Sequence, residues 1–306
     1  MSAMLATARR IGSRGLSDRQ LAFIFVMPAA ILLALFAVYP FAIAAYNSFF
    51  HLDFTSGART WAALENYAGV LGNADIRAAF GRSVVWTIAN LAIQTLLGIA
   101  IALLLNAGLR GQTIARGLVL FPYMVPAIVA ALVFRYMFND VFGIVDYLLQ
   151  SSGLTHQPIE FLASPQLVLP TLIVVNCWKY TPFMVIVFLA RLQTVPDELI
   201  DAGAIDGAGR FATFRHIILP WLRPVLLVAM LLRTIWTAND FDIPYLLAFG
   251  GPLQASTTVP LKIQALAFSQ RDIGLASSLA VCVAILLVVA SFFYLRSYRH
   301  HEREMA

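Results

Sequence analysis

Six apolar runs, each long enough to cross a bilayer, constrain this chain more than any other feature. About 20 helical residues cover the ~30 Å of hydrocarbon. The runs lie near Leu21–Tyr46, Val84–Leu105, Gly117–Phe138, Leu167–Ala190, Ile217–Ala238 and Gly274–Leu295. Lipid offers no partner for a free backbone group, so such runs fold as helices. Composition agrees: 60% of the 306 residues are hydrophobic and 12% are charged, whereas a soluble domain carries about 25% charged residues. The expected fold is therefore all-α, a polytopic membrane protein with six transmembrane helices. It divides the chain into a tail at 1–20, a six-span domain at 21–295 and a second tail at 296–306. Arg9, Arg10 and Arg14 precede the first run, and Ala42-Ile43-Ala44 within it has the form of a signal-cleavage site. Its apolar stretch of about 25 residues exceeds the 7–15 of a signal core, so it reads as a retained span.

The basic residues give the orientation. Thirteen of them, Arg9, Arg10, Arg14, Arg19, Arg110, Arg116, Arg191, Arg210, Arg215, Arg223, Arg296, Arg299 and Arg303, fall on one side of the six runs. Five, Arg59, Arg77, Arg82, Lys262 and Arg271, fall on the other, and the 139–166 loop has Asp140, Asp146 and Glu160 with no Lys or Arg. Positive charge stays inside, so both termini are expected in the cytoplasm.

Several function classes drop out. The chain has 19 Arg but only two Lys, Lys179 after Trp178 and Lys262 after Leu261. A phosphate-binding G-x-x-x-x-G-K-[ST] loop needs Lys directly after Gly, so there is no Walker A site, and any ATP is hydrolysed by another subunit. Cys177 and Cys282 lie in apolar runs and read as small buried hydrophobes. His51, His156, His216, His300 and His301 form no H-E-x-x-H, and no G-x-S-x-G occurs, which argues against zinc or serine hydrolysis. The scattered net charge of +5 does not form a nucleic-acid patch.

Three cations remain within the runs. Arg135, about 27 Å along a straight helix from Gly117, can snorkel to the outer interface. Lys179 lies halfway along the fourth run, and Arg233 is about 20 Å from Pro220. A cation in hydrocarbon is costly unless it faces a cavity or a partner, so both are expected to line something wet or paired.

Between the fourth and fifth runs, residues 191–219 contain Val195-Pro196-Asp197-Glu198-Leu199-Ile200-Asp201-Ala202-Gly203-Ala204-Ile205-Asp206-Gly207-Ala208-Gly209-Arg210-Phe211, then His216-Ile217-Ile218-Leu219-Pro220. Pro196 suits a first helical turn, and Asp197 and Glu198 complement its dipole. Gly207 and Gly209 can stop that helix with positive φ. Phe211, Phe214 and Ile217 then recur at helical spacing. The stretch reads as helix, turn, helix, either a small-residue knob for a partner protein or an amphipathic loop lying on the membrane.

The stretch resembles the signature of ABC-importer permeases, E-A-A-x3-G-x9-I-x-L-P, with Asp201, Ala202, Gly203, Gly207, Ile217, Leu219 and Pro220 at matching positions and Asp206 beside them. Asp201 replaces the usual Glu and Gly203 the usual Ala. Pro28, Tyr39-Pro40, Glu65-Asn66-Tyr67, Leu120-Phe121-Pro122-Tyr123, Trp178-Lys179-Tyr180-Thr181-Pro182-Phe183, Phe241-Asp242, Gly250-Gly251-Pro252 and Ser256-Thr257 are similar to carbohydrate-importer permeases of the maltose and glycerol-3-phosphate type. Within that group the pattern is closer to the first of the two permeases, without the large external domain of its maltose member. The resemblance implies a type I ABC-importer permease fold in a bacterial inner membrane. It also implies that Asp201, Ala202, Gly203, Asp206, Gly207, Leu219 and Pro220 form a coupling helix seated in an ATPase cleft. Implied partners are a second homologous permease, two ABC ATPase subunits that bind ATP and Mg, and a periplasmic or lipid-anchored substrate-binding protein received by the 47–82 and 239–273 loops. Lipid surrounds the spans, and neither a nucleic acid, a cofactor nor a metal is expected on this chain.

Pro122, Pro126 and Pro182 break the third and fourth runs, which is tolerated where helices line a cavity. Near the middle stand Asn176, Trp178, Lys179 and Tyr180 of the fourth run, and Arg233, Trp236, Asn239 and Asp240 of the fifth. Hydrogen-bonding groups beside aromatic platforms suit a sugar, and these eight residues are the expected substrate pathway. Trp178 and Tyr180 equally suit packing or interfacial anchoring, and Asn239 and Asp240 a helix end facing water. The two mid-span cations also allow an acidic sugar. The alternative from another class is an ATP-independent secondary transporter or channel for a small polar solute. It calls for an intramembrane carboxylate, yet all 16 acids fall in loops or at span ends.

Overall fold

A computed structural model describes residues 18–52, 58–108 and 110–305. Arg9, Arg10 and Arg14 of the first tail, and Ala306 of the second, lie outside the described residues. Helix α1 (Asp18–Leu33) continues through a π turn at Ala34–Val38 into α2 (Tyr39–Asn47). A short antiparallel hairpin follows, β1 (Phe50–Leu52) against β2 (Arg59–Trp61), with Phe50 opposite Trp61. Then come α3 (Glu65–Gly72), α4 (Ala74–Asn106), α5 (Gln112–Met124), α6 (Ala127–Met137), α7 (Ile144–Ser151) and α8 (Val168–Leu192). The chain continues with α9 (Asp197–Ile205), α10 (Arg210–Thr213), α11 (Leu219–Ala238), α12 (Asp242–Ala248), α13 (Val259–Gln264) and α14 (Ile273–Met305).

Two expected spans differ from the sequence reading. Helix α4 starts ten residues before Val84, because Asn73 caps it: its Oδ1 accepts from the backbone N–H of Asp75 at 2.9 Å and of Ile76 at 3.3 Å. Such a cap satisfies orphan N–H groups whatever the hydropathy. At 1.5 Å per residue α4 is about 50 Å long, so its first turns, with Arg77 and Arg82, stand beyond the apolar layer.

The third expected span, Gly117–Phe138, is not one straight helix. Helices α5 and α6 meet at 94°. Pro126 disfavours helical geometry in the residue before it, and Val125 accordingly has φ −67° and ψ 128° and ends α5. The pieces have 13 and 11 residues, about 20 Å and 17 Å, so neither crosses alone. The bend also moves Arg135 off the straight rise expected for it. Its guanidinium carbon sits 5.1 Å from the centre of the Phe249 ring, in the loop after α12.

Helix α8 is the centre of the bundle. Of its most apolar window 67% is buried, against none for the first span, and α4, α5, α11 and α12 pack around it. At the α9 end of the molecule Ala102, Met184, Phe188, Leu192 and Leu222 form one apolar layer. At the far end Trp86, Ala131, Leu172, Val175, Ile243 and Leu247 form a second. Helix α14 closes the far end by packing against α2, α3 and β1. There the buried Asn66 side chain donates to the carbonyls of Ser48 at 2.9 Å and Phe50 at 3.1 Å.

Candidate functional site

Between the two layers a polar network joins α4, α8 and α11. It starts from amides on α4 that the sequence reading did not single out. Asn90 and Gln94, one turn apart, are fully buried. Gln94 donates to Asn176 Oδ1 at 2.9 Å and accepts from Arg233 Nε at 2.9 Å. Arg233 also donates from Nη2 to Asn176 Oδ1 at 3.4 Å, and Asn176 Nδ2 donates to Asp240 Oδ2 at 2.6 Å. The guanidinium lies 4.7 Å from the centre of the Tyr180 ring. The cation is thereby held by two neutral amides, an aromatic face and, one residue further, a carboxylate. That is the pairing a charge at this depth requires.

The network is the floor of a cavity of about 340 Å³ lined by Tyr123, Tyr180, Arg233, Trp236, Asn239, Asp240, Phe241 and Asp242. Trp236 stacks edge-on against Phe183 at 5.1 Å and Tyr123 edge-on against Tyr180 at 6.3 Å. Asn239 uses its side-chain N–H on the Ile235 carbonyl at 2.8 Å. Asp240, just past the end of α11, accepts from Ile243 N–H at 3.4 Å. Desolvation pushes its carboxyl up to about 6, opposed by that N–H and by Arg233. Amides, carboxylates and aromatic faces around such a volume suit a small hydroxylated ligand.

Of the eight expected pathway residues, Asn176, Tyr180, Arg233, Trp236, Asn239 and Asp240 meet in or under this cavity. Lys179 and Trp178 do not line it. Lys179 is 4% exposed, and its Nζ donates to the carbonyl of Val125, where α5 ends at the break. A cation at a helix C-terminus meets both a free carbonyl and the negative end of the dipole. Trp178 turns the other way, edge-on to Phe134 at 5.0 Å, into an apolar cavity between α4, α5 and α8 that Ile93, Leu97, Val119 and Val174 also line. Residues one or two apart on a helix do not share a face, whereas Asn176 and Tyr180, four apart, do.

The 191–219 loop folds as a helical hairpin. Pro196 precedes α9 as its cap, rather than sitting in the first turn, and Asp197 and Glu198 open the helix. Gly207 N–H bonds to Ala204 O at 3.1 Å and Ala208 N–H to Gly203 O at 2.8 Å. This is a Schellman ending, which requires a left-handed residue, and Gly207 has φ +78°. Gly209, by contrast, is extended and caps α10. Gly203 faces Ile217: a Cβ there would lie 2.9 Å from Cδ1, the flexible end of that side chain. Asp201, Ala202, Asp206 and Gly207 are exposed, as are Ile205 at 87% and Phe211 at 75%. Leu219 is half-buried, and Pro220 opens α11.

From Arg210 to Ala238 α10 continues through a π turn at Phe214–Ile218 into α11, one helical segment of 29 residues about 43 Å long. It carries the hairpin at one end and Arg233 and Trp236 near the other. Arg191 and Trp221 clasp the base: Arg191 Nε donates to Trp221 O at 3.1 Å, its guanidinium carbon lies 4.6 Å from the Trp221 ring, and Trp221 Nε1 donates to Thr194 Oγ1 at 3.2 Å. Among the described residues no group of three His, Cys, Asp or Glu is placed to hold a metal.

Known proteins resemble this chain. The trehalose/maltose transport system permease of Thermococcus litoralis is 32% identical over 91% of this chain and 94% of its own length. The sulfoquinovosyl glycerol transport system permease of Agrobacterium fabrum is 35% identical over 93% of this chain and 92% of its own. A crystal structure of a bacterial ABC transporter involved in import of the acidic polysaccharide alginate contains a chain with the same fold. It has a TM-score of 0.80 at 20% identity and covers 92% of this chain and 96% of that one. With residues 94–306 matching the family directly, this chain belongs to the binding-protein-dependent transport system inner membrane components, the permease subunits of ABC importers.

Proposed function

We propose that this chain forms half of the translocation pathway of an ATP-driven importer for a sugar or sugar derivative. The carrying observation is the continuous helix from Arg210 to Ala238, which joins an exposed hairpin to a hydroxyl-binding cavity. In this reading both termini and α9 face the cytoplasm, following the distribution of Arg, and the loops around α12 and α13 face outward. A second, homologous permease closes the open side of the cavity. An external binding protein delivers the sugar to it.

The residues then divide the work. Asp201, Ala202, Gly203, Asp206 and Gly207 present the docking surface to one of two ATPase subunits, which hold ATP and Mg and hydrolyse it. Leu219 and Pro220, with the Arg191–Trp221 clasp, pass the displacement of that surface to α8 and α11. At the far end Asn176, Arg233, Asn239 and Asp240 offer hydrogen-bond partners to sugar hydroxyls, and Trp236 and Tyr180 offer ring faces. Lys179 and Trp178 support the walls. No bond is made or broken on this chain.

The names of the relatives, trehalose/maltose, sulfoquinovosyl glycerol and sn-glycerol-3-phosphate transport permeases, support the sugar class. The test is to tag the chain, extract it gently from its membrane and identify what accompanies it. A Walker-motif ATPase and a second permease are expected. A chain that emerges alone and moves solute across liposomes without ATP would overturn this reading in favour of a secondary transporter.

A further inference from the structure

We infer that this half of the pathway selects neutral polyhydroxyl sugars and rejects anionic ones, with Asp240 and Asp242 as the discriminating residues. The inference rests on the cavity reading above and narrows its substrate class. The relatives' names do not decide the point, because they include both neutral and acidic cargoes.

Two cations lie on the elements that build the cavity, Lys179 on α8 and Arg233 on α11, and a free cation there would attract a sulfonate, phosphate or carboxylate. Lys179 does not line the cavity: its Nζ is bonded to the Val125 carbonyl and lies 5.2 Å from the centre of the Tyr180 ring, which separates it from the ligand space. Arg233 does line it but is 3% exposed, with Nε on Gln94, Nη2 on Asn176 and its face on Tyr180. Its charge is offset within the same network by Asp240, reached through Asn176. Asp242 adds a second carboxylate to the lining, which leaves the wall with two carboxylates and one cation, Arg233.

An incoming anion would meet these carboxylates in a site partly shielded from water, where like charges repel strongly. A neutral sugar meets acceptors. Each oxygen of Asp240 is shown with one donor, Asn176 on Oδ2 and Ile243 N–H on Oδ1. A carboxylate oxygen has two lone pairs, so each can still accept from a hydroxyl. Gln94 completes the device as a positioning residue, since without it Arg233 loses its Nε partner and is freer to turn toward the ligand.

Trp236 lines the cavity, is 45% exposed and reports binding directly. The purified complex is titrated with a methyl glucoside and with the matching methyl glucuronide, following tryptophan emission, with Trp236→Phe defining the background. The glucoside is expected to shift the emission at a concentration about tenfold or more below the glucuronide. Asp240→Asn, whose side-chain oxygen can still accept from Asn176, is expected to narrow that gap, and Asp242→Asn to narrow it further. Gln94→Leu is expected to raise glucuronide affinity without raising that for the glucoside. Equal or tighter binding of the glucuronide overturns the inference and leaves the cavity reading standing. A gap that persists in the Asp240→Asn, Asp242→Asn double variant overturns the assignment to these carboxylates. No response of Trp236 to either sugar overturns the cavity reading, and this inference with it.

Discussion

Replacing Lys179 with Met separates two readings of a mid-span cation. The ammonium is 4% exposed and donates to the carbonyl of Val125, where α5 stops before the break at Pro126. Met keeps the stem and its volume while removing the donor. A hydrogen bond from a charged group is worth about 1.5–3 kcal/mol, and a buried acceptor left bare costs about 1–3 kcal/mol. Taking about 2 kcal/mol, the thermal midpoint of this subunit in the purified complex is expected to fall by about 3 °C. Lys179→Arg, which can still donate to that carbonyl, is expected to recover much of the loss. Because the amine is bonded to Val125 O and does not line the cavity, the concentration of sugar giving half-maximal uptake should stay near wild type in both variants, with only the amount of folded transporter changing. The assay is midpoint and uptake on the same preparations. A Lys179→Met protein with unchanged midpoint and sharply weakened sugar affinity would refute the capping argument and make Lys179 a ligand of the sugar.

Gly203→Ala places a methyl 2.9 Å from Ile217 Cδ1, the flexible end of that side chain, so Ile217 is expected to turn aside and sugar-stimulated ATP hydrolysis in the reconstituted importer to stay near wild type. A sharp loss that Ile217→Val reverses would show that contact to be rigid. Gly207→Ala forces an L-residue to φ +78° and should cost about 1 kcal/mol of hairpin stability, visible as faster backbone hydrogen exchange over 203–208. Asn66→Ala removes two buried donors, on Ser48 O and Phe50 O. It should destabilise the far end by about 1–3 kcal/mol, with Trp236 emission on sugar binding unchanged. Single cysteines at Asp201 and Arg59, in a chain with Cys177 and Cys282 replaced, should be labelled by impermeant reagents only from opposite faces of the membrane. Labelling of both from one face would refute the assigned topology.

Much of this was legible in the sequence because hydrophobic length and helix-ending chemistry act locally. The apolar runs placed the spans, and Gly207 placed the turn after α9. What escaped was non-local or averaged away. Of the three prolines expected to break the third and fourth runs, Pro126 does so, through its steric effect on Val125, whereas Pro122 and Pro182 lie inside the unbroken α5 and α8; the 94° angle itself is not legible in a hydropathy run. Asn90 and Gln94 are neutral amides in a strongly apolar helix, and attention to charges passed over them. They carry meaning only once α4 lies beside Asn176 and Arg233. Asn176, Trp178, Lys179 and Tyr180 were grouped by proximity along the chain. The helix sorts them by angle, sending Trp178 to an apolar cavity and Lys179 to the broken span.

The seating of α14 against α2, α3 and β1 bears on how the protein is made. The first and last parts of the chain become neighbours, so the far end cannot be completed until the ribosome has released the final helix. Until then the Ser48 and Phe50 carbonyls and the Asn66 amide can bond to one another, but the apolar surface of Val70 and Ile76 waits for Ala276 and Leu279. Nascent chains stalled before residue 273 should therefore stay open at that end and be recognised by membrane proteases.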